Sequence, residues 1–194
     1  FYDSYDRSKS KVYLGEYASW GNKFYNALSE ALYLTGIERN GDVVSMASYA
    51  PLLAREKHTQ WNPDLIYFNG NEVKPTVNYF VQKHYGKNSG DIYMERNIKA
   101  SDNDEVNKRI GIAVVKESTS GDLIVKLVNV LPVTVKPSIE MSNIMIAENA
   151  SYTVLTGNPE NTDARPVSQT ITVREAFSKE LPPYSFTVIR IKTK

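Results

Sequence analysis

The hydrophobic pattern of this chain changes near residue 88, and this change limits the fold more than any other feature. Before it, strand-like and helix-like segments alternate; after it, short runs rich in β-branched residues are separated by Gly, Pro and Asn. The first pattern is typical of a parallel sheet with crossover helices, and the second of a β-sandwich. The sequence therefore predicts two parts, 1–88 and 89–194, with a boundary near 86–90.

Two helices are predicted in the first part. Apolar residues recur at i, i+3, i+4, i+7 and i+8 from Phe24, which predicts a helix over 22–35 with one apolar face. Asn22 is the expected N-cap, and Gly36 stands where a helix commonly ends. A second helix is predicted over 75–88. Its first residue is Pro75, and a proline is well tolerated in the first turn of a helix.

Strand predictions surround these helices. Val12–Leu14 forms a short apolar run that stops at Gly15, and a longer apolar segment covers 45–54. Pro51 is unfavourable for the end of a central strand. In the second part, residues 119–121 (Thr-Ser-Gly) separate two apolar runs and predict a β-hairpin.

The composition excludes several classes of function. Lys and Arg number 23 against 22 Asp and Glu, and this net charge of +1 gives no electrostatic basis for binding nucleic acid or an anionic membrane. The chain has no Cys, and its 2 His are far apart in sequence, so neither a metal site nor a cofactor is predicted. No apolar run approaches the ~20 residues that span a bilayer. The chain begins with Phe1 rather than Met, which predicts a fragment; secretion or periplasmic export of the parent protein stays open.

Glu16 directly follows the first predicted strand, between Gly15 and Tyr17. An acid at the carboxyl end of a parallel strand is where α/β barrels place catalytic groups, and a glycosidase would use it as nucleophile or base. Two other roles for Glu16 explain the same pattern. It could be an exposed loop acid, or its negative charge could interact favourably with the dipole at the start of the following helix. The pattern alone leaves these interpretations open.

Several segments, in order along the chain, resemble glycoside hydrolase family 51 α-L-arabinofuranosidases. The resemblance is carried by "VYLGEYAS", "ALSEALYLTGIERNGDVVSMASYAPLLA", "WNPDLIYF" and "NYFVQKHY" between 12 and 85, and by "LPPYSFTVIRI" at 181–191. It implies the C-terminal fragment of a (β/α)8 TIM barrel, followed by an antiparallel, jelly-roll-like β-sandwich. Residues 45–54 would then be the eighth barrel strand and 75–88 the eighth helix.

The same resemblance implies a retaining hydrolase that removes terminal α-L-arabinofuranosyl groups from arabinose-containing glycans. Glu16, in "GEYA", matches the family's nucleophile. The family's acid/base glutamate lies on an earlier barrel strand, so we expect it outside this chain and expect the isolated chain to be inactive. Glu72, in Gly-Asn-Glu, is interpreted as turn chemistry rather than as that acid. The family tends toward oligomers, which leaves a homo-oligomer open.

Further residues are candidates for substrate binding. Tyr17 and Trp20 are close to Glu16 in sequence and offer apolar walls and a hydroxyl group. Trp61 and Asn62 precede the eighth helix, where the resemblance places the rim of the subsite, although a packing role suits the tryptophan equally. Tyr49 either faces the top of the barrel or fills it. The alternative function is a non-catalytic β-sandwich that binds carbohydrate or forms an interface.

Overall fold

The computed structural model describes residues 1–94 and 102–193, and its first part is built around a parallel β-α-β unit. After a 3-10 helix at Tyr2–Ser4, strand β1 (Val12–Tyr17) is followed by helix α1 (Phe24–Arg39) and strand β2 (Val44–Tyr49). β1 and β2 pair in parallel, with α1 as the connection. The predicted alternation of strand and helix is confirmed here.

The predicted ends of α1 are wrong. Lys23, not Asn22, is the N-cap, because the Asn22 side chain donates hydrogen bonds elsewhere, to the Asp64 carbonyl and to the Asn78 side chain. The helix also continues through Gly36 to Arg39. It ends at Asn40, whose backbone N–H and side chain both donate to the Gly36 carbonyl.

Both strand predictions in this part need correction. β1 does not stop at Gly15 but continues to Tyr17. The segment 45–54 is not one strand, because the chain leaves the β1–β2 pair at Ala50–Pro51 and then joins a different sheet. That sheet contains β3 (Leu53–Arg55), β4 (Ile66–Phe68) and β5 (Val73–Pro75), with β3 parallel and β5 antiparallel to β4.

The second predicted helix is confirmed as α2 (Val77–Lys87), although it begins two residues later than predicted. Pro75 belongs to β5 instead of the first helical turn, and it pairs with Ile66. Thr76 follows as the N-cap.

The second part is dominated by a six-stranded antiparallel sheet in the order β11-β10-β13-β8-β7-β6. The described residues of this part also form a two-stranded sheet, β9 with β12, and a short helix, α3. The bounds are β6 Ile92–Tyr93, α3 Asp104–Asn107, β7 Ile110–Lys116, β8 Leu123–Asn129, β9 Ser138–Glu140, β10 Ile146–Thr156, β11 Val167–Thr172, β12 Ala176–Ser178 and β13 Ser185–Thr193. The predicted hairpin is the β7–β8 turn, where Gly121 has a positive φ of 77°.

The two faces of the six-stranded sheet bury different partners. α1 and α2 cover one face, where the ring of Tyr85 stacks on that of Phe186 with centroids 5.1 Å apart. On the other face, Ile139 of β9 and Phe177 of β12 pack over the sheet core. The first of these cores contains residues from both parts of the sequence, so the helices of 1–88 and the sheet share one apolar interior.

Within residues 1–94 and 102–193, none of the helices combines the length and the apolar character needed to cross a bilayer. The same ranges contain no cluster of three or more His, Asp or Glu side chains arranged to hold a metal ion.

Candidate active-site cleft

A cleft of about 480 Å³ opens beside the carboxyl ends of β1 and β2. Because these strands are parallel, the segments that follow them meet at the same edge of the sheet. The cleft is lined by residues 16–20, by 50 and 51, and by 61–63. It therefore brings together five predicted site residues: Glu16, Tyr17, Trp20, Trp61 and Asn62.

Glu16 is exposed and lies one residue before the end of β1. Among the described residues that line the cleft, it is the only one with a carboxylate. A carboxylate that faces an open cleft keeps its oxygens available to a ligand, as a nucleophile requires.

Tyr17 anchors the end of β1 from below. Its hydroxyl donates a 2.6 Å hydrogen bond to Oε1 of Gln82 on α2, and its ring meets that of Tyr49 edge-on at 5.7 Å. Burial, together with the negative charge of Glu30, raises the pKa of Tyr17 far above its usual value. The phenol therefore stays protonated and remains a donor to Gln82.

Two tryptophans flank the cleft. Trp20 is 85% exposed and Trp61 is 63% exposed, so most of each indole faces solvent. Trp61 lies in a loop held by Thr59, whose hydroxyl donates to the Trp61 carbonyl and to the carboxylate of buried Asp64. Large exposed aromatic rings on a fixed backbone suit the C–H faces of sugars.

Asn62 is also exposed and is fixed by Tyr67. The Tyr67 hydroxyl donates to Oδ1 of Asn62 at 3.3 Å and accepts from the backbone N–H of Asp64 at 3.0 Å. This arrangement leaves the Asn62 amide group at the rim of the cleft, where it can donate to a ligand hydroxyl.

Tyr49 lies beneath the cleft rather than on its surface. Its side chain is 8% exposed, and its hydroxyl donates to Glu30 Oε1 at 3.3 Å. Burial, with the Glu30 charge, raises the pKa of Tyr49 far above its usual value. The structure therefore gives Tyr49 a supporting position under residues 50 and 51.

The sequence analysis missed Glu30, a buried acid on α1 that the cleft segments contact. Glu30 is 3% exposed and accepts hydrogen bonds from the Ser19 backbone and from the side chains of Tyr49, Asn78 and Gln82. One signal was available: Glu30 lies three residues after Ala27 and four before Leu34, on the apolar face of the helix. The donors, however, come from distant parts of the chain.

The fold, an α/β segment packed on an antiparallel sheet-rich part, is also found in solved glycoside hydrolases. A GH51 α-L-arabinofuranosidase solved with bound arabinose superposes with a TM-score of 0.91 at 26% identity, covering 100% of this chain and 34% of the other. A thermostable GH51 α-L-arabinofuranosidase from Thermotoga petrophila RKU-1 gives a TM-score of 0.79 at 17% identity, over 94% of this chain and 43% of the other. The second likeness shows the fold alone.

The sequence is more specific than the fold. Residues 15–185 match the model of the α-L-arabinofuranosidase C-terminal domain, and the chain belongs to this family. α-L-Arabinofuranosidase 1 of Arabidopsis thaliana is 30% identical over 95% of this chain. The extracellular exo-α-L-arabinofuranosidase of Streptomyces chartreusis is 59% identical over 46% of it. The chain spans only 30% and 11% of these relatives, respectively.

Proposed function

We propose that this chain is the C-terminal part of a retaining α-L-arabinofuranosidase, which hydrolyses terminal non-reducing α-L-arabinofuranosyl groups of arabinose-containing glycans. In this proposal Glu16 is the nucleophile. The observation that carries it is the position of Glu16: an exposed carboxylate at the carboxyl end of a parallel strand, in a cleft flanked by two tryptophans. Family membership supplies the substrate class.

Residues 1–88 would be the last strands and helices of a (β/α)8 barrel, and 89–194 the β-sandwich that follows it. The parallel β1–β2 pair with its helical connection supports this division. The outer face of the β1–β2 pair also supports this division, because the paired residues Tyr13 and Met46 are 56% and 57% exposed. An apolar face of this kind is normally covered, and further barrel strands would cover it.

In the proposed mechanism, the Glu16 carboxylate attacks the anomeric carbon, and the bond to the leaving oxygen breaks as a partner acid protonates that oxygen. Water, deprotonated by the same partner, then releases arabinose from the glycosyl-enzyme. Retention requires that partner about 5–5.5 Å from the nucleophile. Glu30 is unsuited to this role, because it is buried and four donors already occupy its oxygens. As the resemblance to the family implies, the partner would lie on an earlier barrel strand outside this chain, and the isolated chain should be inactive.

The other cleft residues have binding roles in this proposal. Trp61, together with Trp20, would stack on sugar faces, and the Asn62 amide would bind a hydroxyl group. Tyr17 and Tyr49 would act from below, by holding the strand ends in place. Secretion of the parent protein is in keeping with the Streptomyces chartreusis relative, which is described as extracellular.

The alternative, a β-sandwich that binds carbohydrate by itself, has less support. The large hydrophobic side chains exposed in the described part of 102–193 are Val133, Met145 and Val167, none of them aromatic. The exposed tryptophans both lie in the cleft with Glu16. The aromatic rings suited to sugar are therefore next to the proposed nucleophile and not on the sandwich.

The test is substitution of Glu16 in the full-length protein. We expect Glu16→Ala to reduce turnover of an aryl α-L-arabinofuranoside by at least about a thousandfold, since it removes the attacking group. Added azide should restore turnover and yield the β-arabinofuranosyl azide, because azide can occupy the space of the lost carboxylate and displace the aryl oxide. Glu72→Ala, in an exposed turn, is the matched control and should retain full activity. Turnover of Glu16→Ala within tenfold of the wild type would refute the assignment.

A further inference from the structure

Glu30 has a chemical environment that a merely structural acid does not need. Its side chain lies on α1 and is almost fully buried. Oε1 accepts from the Ser19 backbone N–H at 3.0 Å, from Asn78 Nδ2 at 2.7 Å and from the Tyr49 hydroxyl at 3.3 Å. Oε2 accepts from Gln82 Nε2 at 3.0 Å. All four donors are neutral, so no cation among the described contacts compensates the charge.

The elements that donate to Glu30 are those that form the cleft. Ser19 belongs to the 16–20 wall, three residues after Glu16. Tyr49 directly precedes the 50–51 wall. Gln82 accepts from the Tyr17 hydroxyl at 2.6 Å, which extends the network to the residue next to Glu16. One carboxylate thus connects the ends of β1 and β2 and the helix α2.

A second set of contacts orients the same loop from α1. Asn26 Nδ2 donates to Ser19 Oγ at 2.8 Å, while Asn26 Oδ1 accepts from the Lys23 backbone N–H at 3.1 Å. Glu30 and Asn26 are four residues apart and lie on one side of the helix. The 18–22 loop is therefore held on α1 at two points, by the Glu30 carboxylate and by the Asn26 amide.

Burial raises the pKa of Glu30, whereas the hydrogen bonds from Ser19, Asn78, Gln82 and Tyr49 act in the opposite direction. A buried carboxylate is costly unless its oxygens are well satisfied. A leucine at this position would avoid that cost. The presence of an acid at this position is therefore explained by the hydrogen bonds that its two oxygens accept.

We propose that Glu30 is a positioning residue for the reaction assigned to this cleft: by accepting from Ser19, Tyr49 and Gln82 at once, it fixes the segment that directly follows Glu16 and the neighbouring end of β2. This inference rests on the proposed function. Glu30 does not touch the substrate, because it lies beneath the cleft. Its effect is on the orientation of Glu16 relative to the anomeric carbon, where displacements of about 1 Å can cost about a hundredfold in rate.

The test compares Glu30→Gln and Glu30→Leu in the full-length protein, with Glu38→Gln as the matched control. Glu38 is a largely buried acid on the same helix, but it pairs with Lys126 and does not line the cleft. Leucine removes both acceptor oxygens, so kcat should fall by about 10- to 100-fold with a smaller change in KM. Glutamine keeps one oxygen and should retain more of kcat than leucine. Glu38→Gln should lower Tm and leave kcat unchanged.

A second readout is independent of activity. The backbone amide signals of Ser19 and Trp20 in a 1H–15N correlation spectrum should move in Glu30→Gln and stay in place in Glu38→Gln. If Glu30→Leu fails to fold, Glu30→Gln still gives both measurements.

Three negative results have different meanings. If the wild-type protein hydrolyses the arabinofuranoside and both Glu30 variants lower Tm but keep kcat within twofold, the positioning role is refuted and the proposed function stands. An inactive full-length wild type would instead refute the proposed function and, with it, the positioning role of Glu30. Unmoved Ser19 and Trp20 signals would overturn the geometric basis of the inference.

Discussion

Gly21 lies in the loop that joins the cleft to α1, and its backbone has a conformation that other residues rarely adopt. Its φ of 154° is in the region that favours glycine, and an added Cβ would lie 2.6 Å from Asn26 Oδ1. Because Asn26 also holds Ser19, it has little freedom to move. Gly21→Ala should therefore lower the free energy of unfolding by about 1–3 kcal/mol, measured by urea denaturation. Gly70→Ala, where a Cβ meets nothing within 4 Å, should change it by less than about 0.5 kcal/mol, and equal losses would contradict the argument.

Also at the scale of single residues, the environment of His84 predicts that the stability of the fold depends on pH. The imidazole packs edge-on against Phe186, and its Nε2 is buried with no hydrogen-bond partner in the described residues. Burial, followed by the charges of Lys83 and Lys87, lowers its pKa below the usual 6.5. The unfolded chain therefore binds a proton first, and the free energy of unfolding falls as pH drops below 6.5 until the folded state is also protonated.

Replacing His84 with Gln should remove this part of the acid dependence, as measured by urea denaturation between pH 7 and 5. His58→Gln is the control, because His58 is exposed in a loop. If His84→Gln leaves the slope unchanged, another group is responsible for it.

At the scale of elements, a buried ion pair joins α1 to β8. Lys126 is fully buried, bonds to Glu38, and has its ammonium group 5.2 Å from the centre of the Tyr85 ring. Removing one partner leaves an unpaired buried charge, so Lys126→Met alone should cost about 3–5 kcal/mol. The double variant Lys126→Met/Glu38→Leu should recover most of that loss in the same denaturation experiment. A double variant no more stable than Lys126→Met would show that the charge is not what matters.

The periodicity of apolar residues predicted the elements that are stabilised by residues close together in the sequence. α1, α2 and the β7–β8 hairpin were found because their apolar spacing is continuous. The 45–54 segment was predicted wrongly because its division depends on pairing between β3 and β4, which lie apart in the chain. The start of α1 was misplaced for a similar reason: the carbonyl groups of Pro159 and Asn161 accept from the first N–H groups of the helix. Glu16, Tyr17, Trp61 and Asn62 could be selected from the sequence. For Glu30 the sequence offered only its place on the apolar face of α1, since its donors converge only in three dimensions.

For the whole molecule, the sequence suggests two parts, whereas the structure has a core that belongs to both. Phe24 and Val81 from the helices pack in one cluster with Val128 and Phe186 from the sheet. Because neither part can lose this contact without exposing apolar area, we expect a single cooperative unfolding transition. In calorimetry, the van't Hoff and calorimetric enthalpies should agree. The near-UV circular dichroism of buried rings such as Tyr49 and Tyr85, which reports on the first part, should change together with the far-UV circular dichroism of the sheet. Phe186→Ala should shift both signals to the same lower midpoint, because it opens the shared core; separate midpoints would mean that the two parts are stable independently.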